Sequence, residues 1–159
     1  MHERDFFQAR RKQEKDIFLR VIRALPEGRL DYKPHEKSPS AAQIVTTIVS
    51  EHASCSSLVG TGRAEFIPAP VKSVAEAVTA FETNWDELDR KVAAMDDAAW
   101  EKNGQFFSRG KMVSEQPIGG FLWFILFDAI HHRGQLTTYI RPMGGKVPAI
   151  YGPSGDSRP

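Results

Sequence analysis

The chain has 159 residues, 41% of them hydrophobic, which is the length and composition of one globular domain, spanning 1–159, with its own core. Its 21 basic and 20 acidic side chains leave a formal net charge of +1, so nothing in the balance suits a phosphate backbone or an acidic membrane surface, and neither nucleic acid nor membrane is an expected partner. A lone cysteine, Cys55, excludes an internal disulfide framework and fits a reducing cytoplasm. The charged start "MHERDFFQARRKQEKDIFLR" does not read as a signal peptide, and the most apolar run, "IGGFLWFILFDAI", is too short to span a bilayer, so a cytoplasmic protein is expected.

Four segments read as helices and none reads as a strand. The first runs from about Asp5 to Ala24, with Phe6, Ile17, Val21 and Leu25 set among charges until Pro26 and Gly28 stop it. After the linker "PEGRLDYKPHEKSPS", where His35 should face solvent, Ser40 reads as the N-cap of a second helix that reaches Val59 and ends at Gly60 and Gly62. Ser73 followed by Glu76 reads as a capping box opening a third helix to about Met95, with Val74, Ala77, Val78, Phe81, Trp85, Leu88 and Val92 at helical spacing. The stretch from Asp96 to Gln116 reads as irregular, anchored by Trp100, Phe106 and Phe107. Pro117 fits the first turn of a fourth helix that continues to about Ile140. The glycine- and proline-rich tail "GGKVPAIYGPSGDSRP" reads as an irregular strap with a mobile end.

The fourth helix is apolar almost all round at its start, so it must be covered on several sides. An all-α four-helix bundle is the economical architecture, and the surplus apolar surface of "FLWFILF" predicts a homodimer.

Within this helix, "LFDAIHHRGQ" places polar residues where burial is demanded. Asp128, His132, Gln135 and Tyr139 recur at spacings of four, three and four and therefore share one stripe, with His131 about a quarter-turn away. A carboxylate and an imidazole one turn apart can bind the same divalent metal, or satisfy each other through a charge-assisted hydrogen bond. A third ligand must come from a facing helix. On the second helix His52 lies within the face defined by Ala41, Ile44, Val45, Ile48, Cys55 and Val59, while Glu51 lies at its other margin, and either residue can be argued. Both donor sets suit zinc, nickel, iron or manganese. A lone His on an apolar face is also commonly a satisfied core residue. Cys55 reads as a small buried hydrophobe, and Arg133 as a partner for a carboxylate on a neighbouring helix.

The run "HHRGQLTTYIRPMGG", from His131 to Gly145, with the following "KVPAIYGPSGD", resembles the C-terminal signature of the DinB/YfiT-like family of four-helix-bundle proteins, which includes metal-dependent thiol transferases. The resemblance implies an up-down-down-up bundle, often a homodimer, with a divalent metal held by one His on helix two and an H-x-x-x-H pair on helix four. The second His of the pair maps onto His132, and the first onto position 128, which is Asp here. The helix-two His would fall near Thr47, with Glu51 one turn further along and His52 slightly off that line.

Two functions follow as expectations. One is a metal-dependent enzyme, a thiol S-transferase or a hydrolase-type activity acting with a low-molecular-weight thiol, with His131, Gln135 and Tyr139 contacting substrate or orienting the ligands. The other is a non-catalytic bundle with a degenerate metal site that binds a small molecule or a partner.

Overall fold

The computed structural model describes residues 2–158. Long helices α1 (Glu3–Arg23), α2 (Ala41–Thr61), α3 (Val74–Ala93) and α5 (Ile118–Ile140) dominate it, with a short helix α4 (Asp97–Glu101) and strands β1 (Arg63–Glu65), β2 (Asn103–Ser108) and β3 (Lys111–Pro117). The expectation of an all-α chain is therefore corrected: the protein is mostly helical and carries a three-stranded sheet in the order β1-β2-β3. β1 pairs with β2 in parallel, and β2 with β3 antiparallel.

The β2–β3 hairpin and the short helix α4 occupy the stretch expected to be irregular, while β1 joins the sheet from between α2 and α3, and the physical cause of the hairpin is its turn. Arg109 and Gly110 both adopt positive φ, 52° and 73°, the two-residue hairpin geometry whose twist matches that of the flanking strands. The register then jumps, from Phe106↔Ser114 to Phe107↔Met112, leaving Val113 as an extra, bulged residue in β3.

Caps set the helix limits. The Ser40 hydroxyl accepts from the Gln43 amide while Gln43 Oε1 accepts from the Ser40 amide, a reciprocal capping box. At α3 only half of the expected box forms: Ser73 accepts from the Glu76 amide, but the Glu76 carboxylate accepts from Lys72 instead. Gly60 lies inside α2, and Gly62 alone ends it, in the left-handed conformation at φ 74°. Pro117 sits at the N-cap of α5 rather than in its first turn.

Directions follow from contacts at the helix ends and middles. α1 runs antiparallel to α3, since Arg11 meets Asp89 and Arg23 meets Glu82. α2 runs parallel to α3, with Asn84 donating to the Val49 carbonyl and Lys91 to that of Ser56. α5 runs parallel to α1, through Phe7 against Trp123 and Arg133 bonded to Glu14. α2 and α5 run antiparallel, because Tyr139 donates to Pro39 at one end while Leu58 and Ile118 both close on Gly104 at the other.

The core between these helices is built from Phe18, Ile44, Ile48, Phe81, Trp85, Leu122 and Leu136, all essentially inaccessible. Burying such side chains contributes roughly 1.5–3 kcal/mol each. The tail is a strap: Val147 and Ala149 are buried, Asp156 pairs with Arg141, and the Tyr151 hydroxyl reaches Glu14 and Arg133. Among the described residues no helix is long and apolar enough to cross a membrane.

Candidate metal centre

α2 is buried on two sides, and this decides which of its polar residues reaches α5. Ile44, Ile48, Glu51, Cys55 and Leu58 form one buried stripe, while Val45, Val49, His52 and Ser56 form the adjacent one. The second stripe faces α3, where the His52 ring stacks on Trp85 at 4.7 Å and meets Phe81 edge-on. The first delivers Glu51 to α5.

Glu51, Asp128 and His132 each offer a ligand atom, and these atoms all lie within 4.8 Å of one another. His132 Nε2 is 3.4 Å from Asp128 Oδ2 across one helical turn. On its other side the ring is held by Gln135, whose Oε1 lies 3.2 Å from His132 Nδ1. Glu51 is buried, whereas Asp128 and His132 keep 34% and 22% side-chain exposure, so the cluster opens to solvent along α5.

The electrostatics are those of an acid held beside an acid. Burial pushes the Glu51 carboxyl up to about 9, and the hydrogen bond to Asp128 and that residue's charge push in the same direction. Glu51 Oε2 is nevertheless buried with no hydrogen-bond partner among the described residues. Two carboxylates, one of them with an orphaned buried oxygen, and one imidazole are the donor set a divalent cation would satisfy, so the residues present fit such an ion.

The remaining sequence candidates lie elsewhere. His52 is fully buried, its Nδ1 2.7 Å from the Ile48 carbonyl, and burial with the nearby Arg11 charge holds its imidazole down to about 3, neutral at ordinary pH. It is a core residue outside the cluster. Tyr139 is buried against Tyr32 and donates to the Pro39 carbonyl, a structural contact at the far end of the stripe. His131 is exposed, its ring 5.4 Å from that of His132. Thr47 is half-buried and donates to its own helix at Gln43. Cys55 is buried, which pushes its thiol up to about 12 and leaves it unreactive. Arg133 forms the expected structural pair with Glu14, and both are buried.

A bundle of long helices with an acid and imidazole cluster between two of them defines the class of this protein. The chain belongs to the DinB family, whose model it matches over residues 4–157. A DinB-like protein of Bacillus cereus ATCC 10987 has a similar structure, with a TM-score of 0.75 at 20% identity over 91% of this chain and 95% of that one. YjoA, a DinB-like protein of Bacillus subtilis, gives 0.71 at 16% identity over 88% and 92% of the two chains. YrdA, an uncharacterized protein of Bacillus subtilis strain 168, is 45% identical over 40 residues, a match that spans 25% of this chain and 24% of that protein.

Proposed function

We propose that this DinB-family protein is a divalent-metal-dependent enzyme whose metal is held by Glu51, Asp128 and His132, with transfer of a low-molecular-weight thiol as the favoured reaction and hydrolysis as the other. The observation that carries the reading is the convergence of these three donors from two helices. A divalent cation held there would supply Lewis acidity, lowering the pKa of a thiol or water brought to it. Gln135 keeps His132 in one orientation, and the exposed edges of Asp128 and His132 are the side from which substrate arrives. The proton that keeps Glu51 neutral beside Asp128 must leave before both carboxylates can act as ligands. With two carboxylates and one imidazole the donor set suits zinc, nickel, iron or manganese, the carboxylates making manganese and iron more competitive than an all-imidazole set would.

The running directions of the four long helices support the up-down-down-up bundle of the family. A groove of about 920 Å³ between α1 and α5, walled by Phe6, Trp123, Phe127 and Ile130, supports a homodimer packed through that face, away from the metal stripe. The lone buried Cys55 supports a cytoplasmic setting.

Metal content measured on the purified protein, with melting followed as chelator is added, tests the reading. Near-stoichiometric tightly held metal and a chelator-dependent fall in melting temperature are expected. Metal-free protein that neither takes up manganese, iron or zinc nor changes stability would favour the non-catalytic bundle.

A further inference from the structure

We propose that the apolar pocket between the β2–β3 hairpin and α5 receives the uncharged, apolar tail of a small-molecule substrate whose polar head is held at Glu51, Asp128 and His132. The inference rests on the metal-centre reading and adds the substrate's chemical class.

Continuity along α5 comes first. Phe121, Ile125, Asp128 and His132 recur at spacings of four, three and four, so pocket wall and ligands share one stripe of the helix. Ile125 lines the pocket, and Asp128 follows it after a rise of about 4.5 Å. A molecule with its head at the carboxylates and its body laid along this stripe of α5 would have its tail within one helical turn of the pocket wall.

The lining chemistry comes second. The pocket has a volume of about 440 Å³, within the range of small-molecule sites. Phe106 and Phe121 stack at 5.8 Å to form one wall, and Phe124, Ile125 and Val113 complete the apolar surface. Ser114 and Gln116 are its polar members, and among the described residues no charged side chain lines it. A phosphate or carboxylate placed there would be desolvated with no cation to meet it, whereas an aromatic or branched aliphatic group would be desolvated favourably.

The third observation is the bulge. Val113 is the residue that the register jump leaves unpaired, and it is also a pocket-lining residue. Bulges re-aim side chains beside binding sites, and here an apolar side chain 59% exposed is kept at the pocket mouth, opposite Phe124 at 61%. A bound apolar tail would cover both.

The test uses full-length protein loaded with cobalt(II), whose visible bands report metal occupancy by themselves. Two neutral thiols, 2-phenylethanethiol and 2-mercaptoethanol, are titrated against the thiolate-to-cobalt absorption. The phenyl compound is expected to bind about tenfold or more tightly, the margin for burying a ring. Val113→Asp, and independently Phe124→Ser, should erase that preference and leave 2-mercaptoethanol binding unchanged; both positions are exposed and tolerate substitution. Equal affinities for the two thiols on cobalt-loaded protein, or a preference that survives both substitutions, would overturn the pocket alone. Absence of cobalt bands would overturn the metal-centre reading and this inference with it.

Discussion

Glu51 Oε2 is buried on α2 with no hydrogen-bond partner among the described residues, and the residue its carboxyl group meets across the helix interface is another acid, Asp128. Such a pair is stable with a proton between its members or with a cation. Without metal the proton wins, and the Glu51 carboxyl titrates near 9.

Metal uptake should therefore release a proton. Affinity for zinc should climb as pH rises toward 9, because Glu51 must ionise to act as a ligand. Calorimetry in two buffers of different ionisation enthalpy measures the release directly, and a pH-independent affinity would count against Glu51 as a ligand. The same shift sets the stability of metal-free protein. The folded pKa lies above the ordinary 4.5, so this contribution is fully present below that pH and is lost as pH rises toward 9. Glu51→Gln should flatten the loss.

His52 gives the opposite sign. Its folded pKa is depressed from 6.5 to about 3, so the stability of the neutral ring is present above 6.5 and lost as pH falls toward 3. Urea unfolding at pH 7 and pH 4 should show a steep acid loss in wild type and a shallower one in His52→Leu. His52→Ala should cost roughly 2–4 kcal/mol at neutral pH through the cavity beside Trp85, while leaving metal stoichiometry unchanged.

The four helices were legible because each carries its own local signals: Ser40 and Ser73 caps, the Gly62 stop, and a period of 3.6 in the apolar residues. The hairpin was not, because the Val113 bulge breaks the alternation of β3 and the turn is marked only by Arg109-Gly110. Asp128 and His132 were legible as a pair from their spacing on one helix. Which α2 residue joins them was not, because α2 is buried on both relevant stripes, and a helical wheel shows that a residue is covered without showing by which neighbour. Only the positions of α3 and α5 separate His52 from Glu51. The Phe121 to Asp128 continuity was present in the sequence, but the pocket it borders needs the unread hairpin.

The strap contributes through a buried charge. Arg133 donates to Glu14 at 2.5 Å, and Tyr151 bridges the two. Arg133→Met should destabilise the fold by about 3 kcal/mol, the low end for breaking a buried pair, because Glu14 keeps Arg10 at 3.5 Å and the Tyr151 hydroxyl as partners. Tyr151→Phe should cost about 1 kcal/mol. Denaturant unfolding checks both, and a null effect of Arg133→Met would show that the pair is dispensable.

The apolar face of α1 and α5 should hold two copies together. Light scattering is expected to find a dimer in wild type and a monomer in Phe127→Glu, since Phe127 is 62% exposed in the single chain and its loss should leave the interior intact. A monomeric wild type at micromolar concentration would contradict the interface.

The most direct measurement is a parallel zinc and manganese titration of wild type, Glu51→Ala, Asp128→Ala, His132→Ala and His52→Ala. Wild type and His52→Ala should each take up metal stoichiometrically, while the other three should lose tight binding. Retention by Glu51→Ala with loss in His52→Ala, or a wild type that binds neither metal, would contradict a centre built from Glu51, Asp128 and His132.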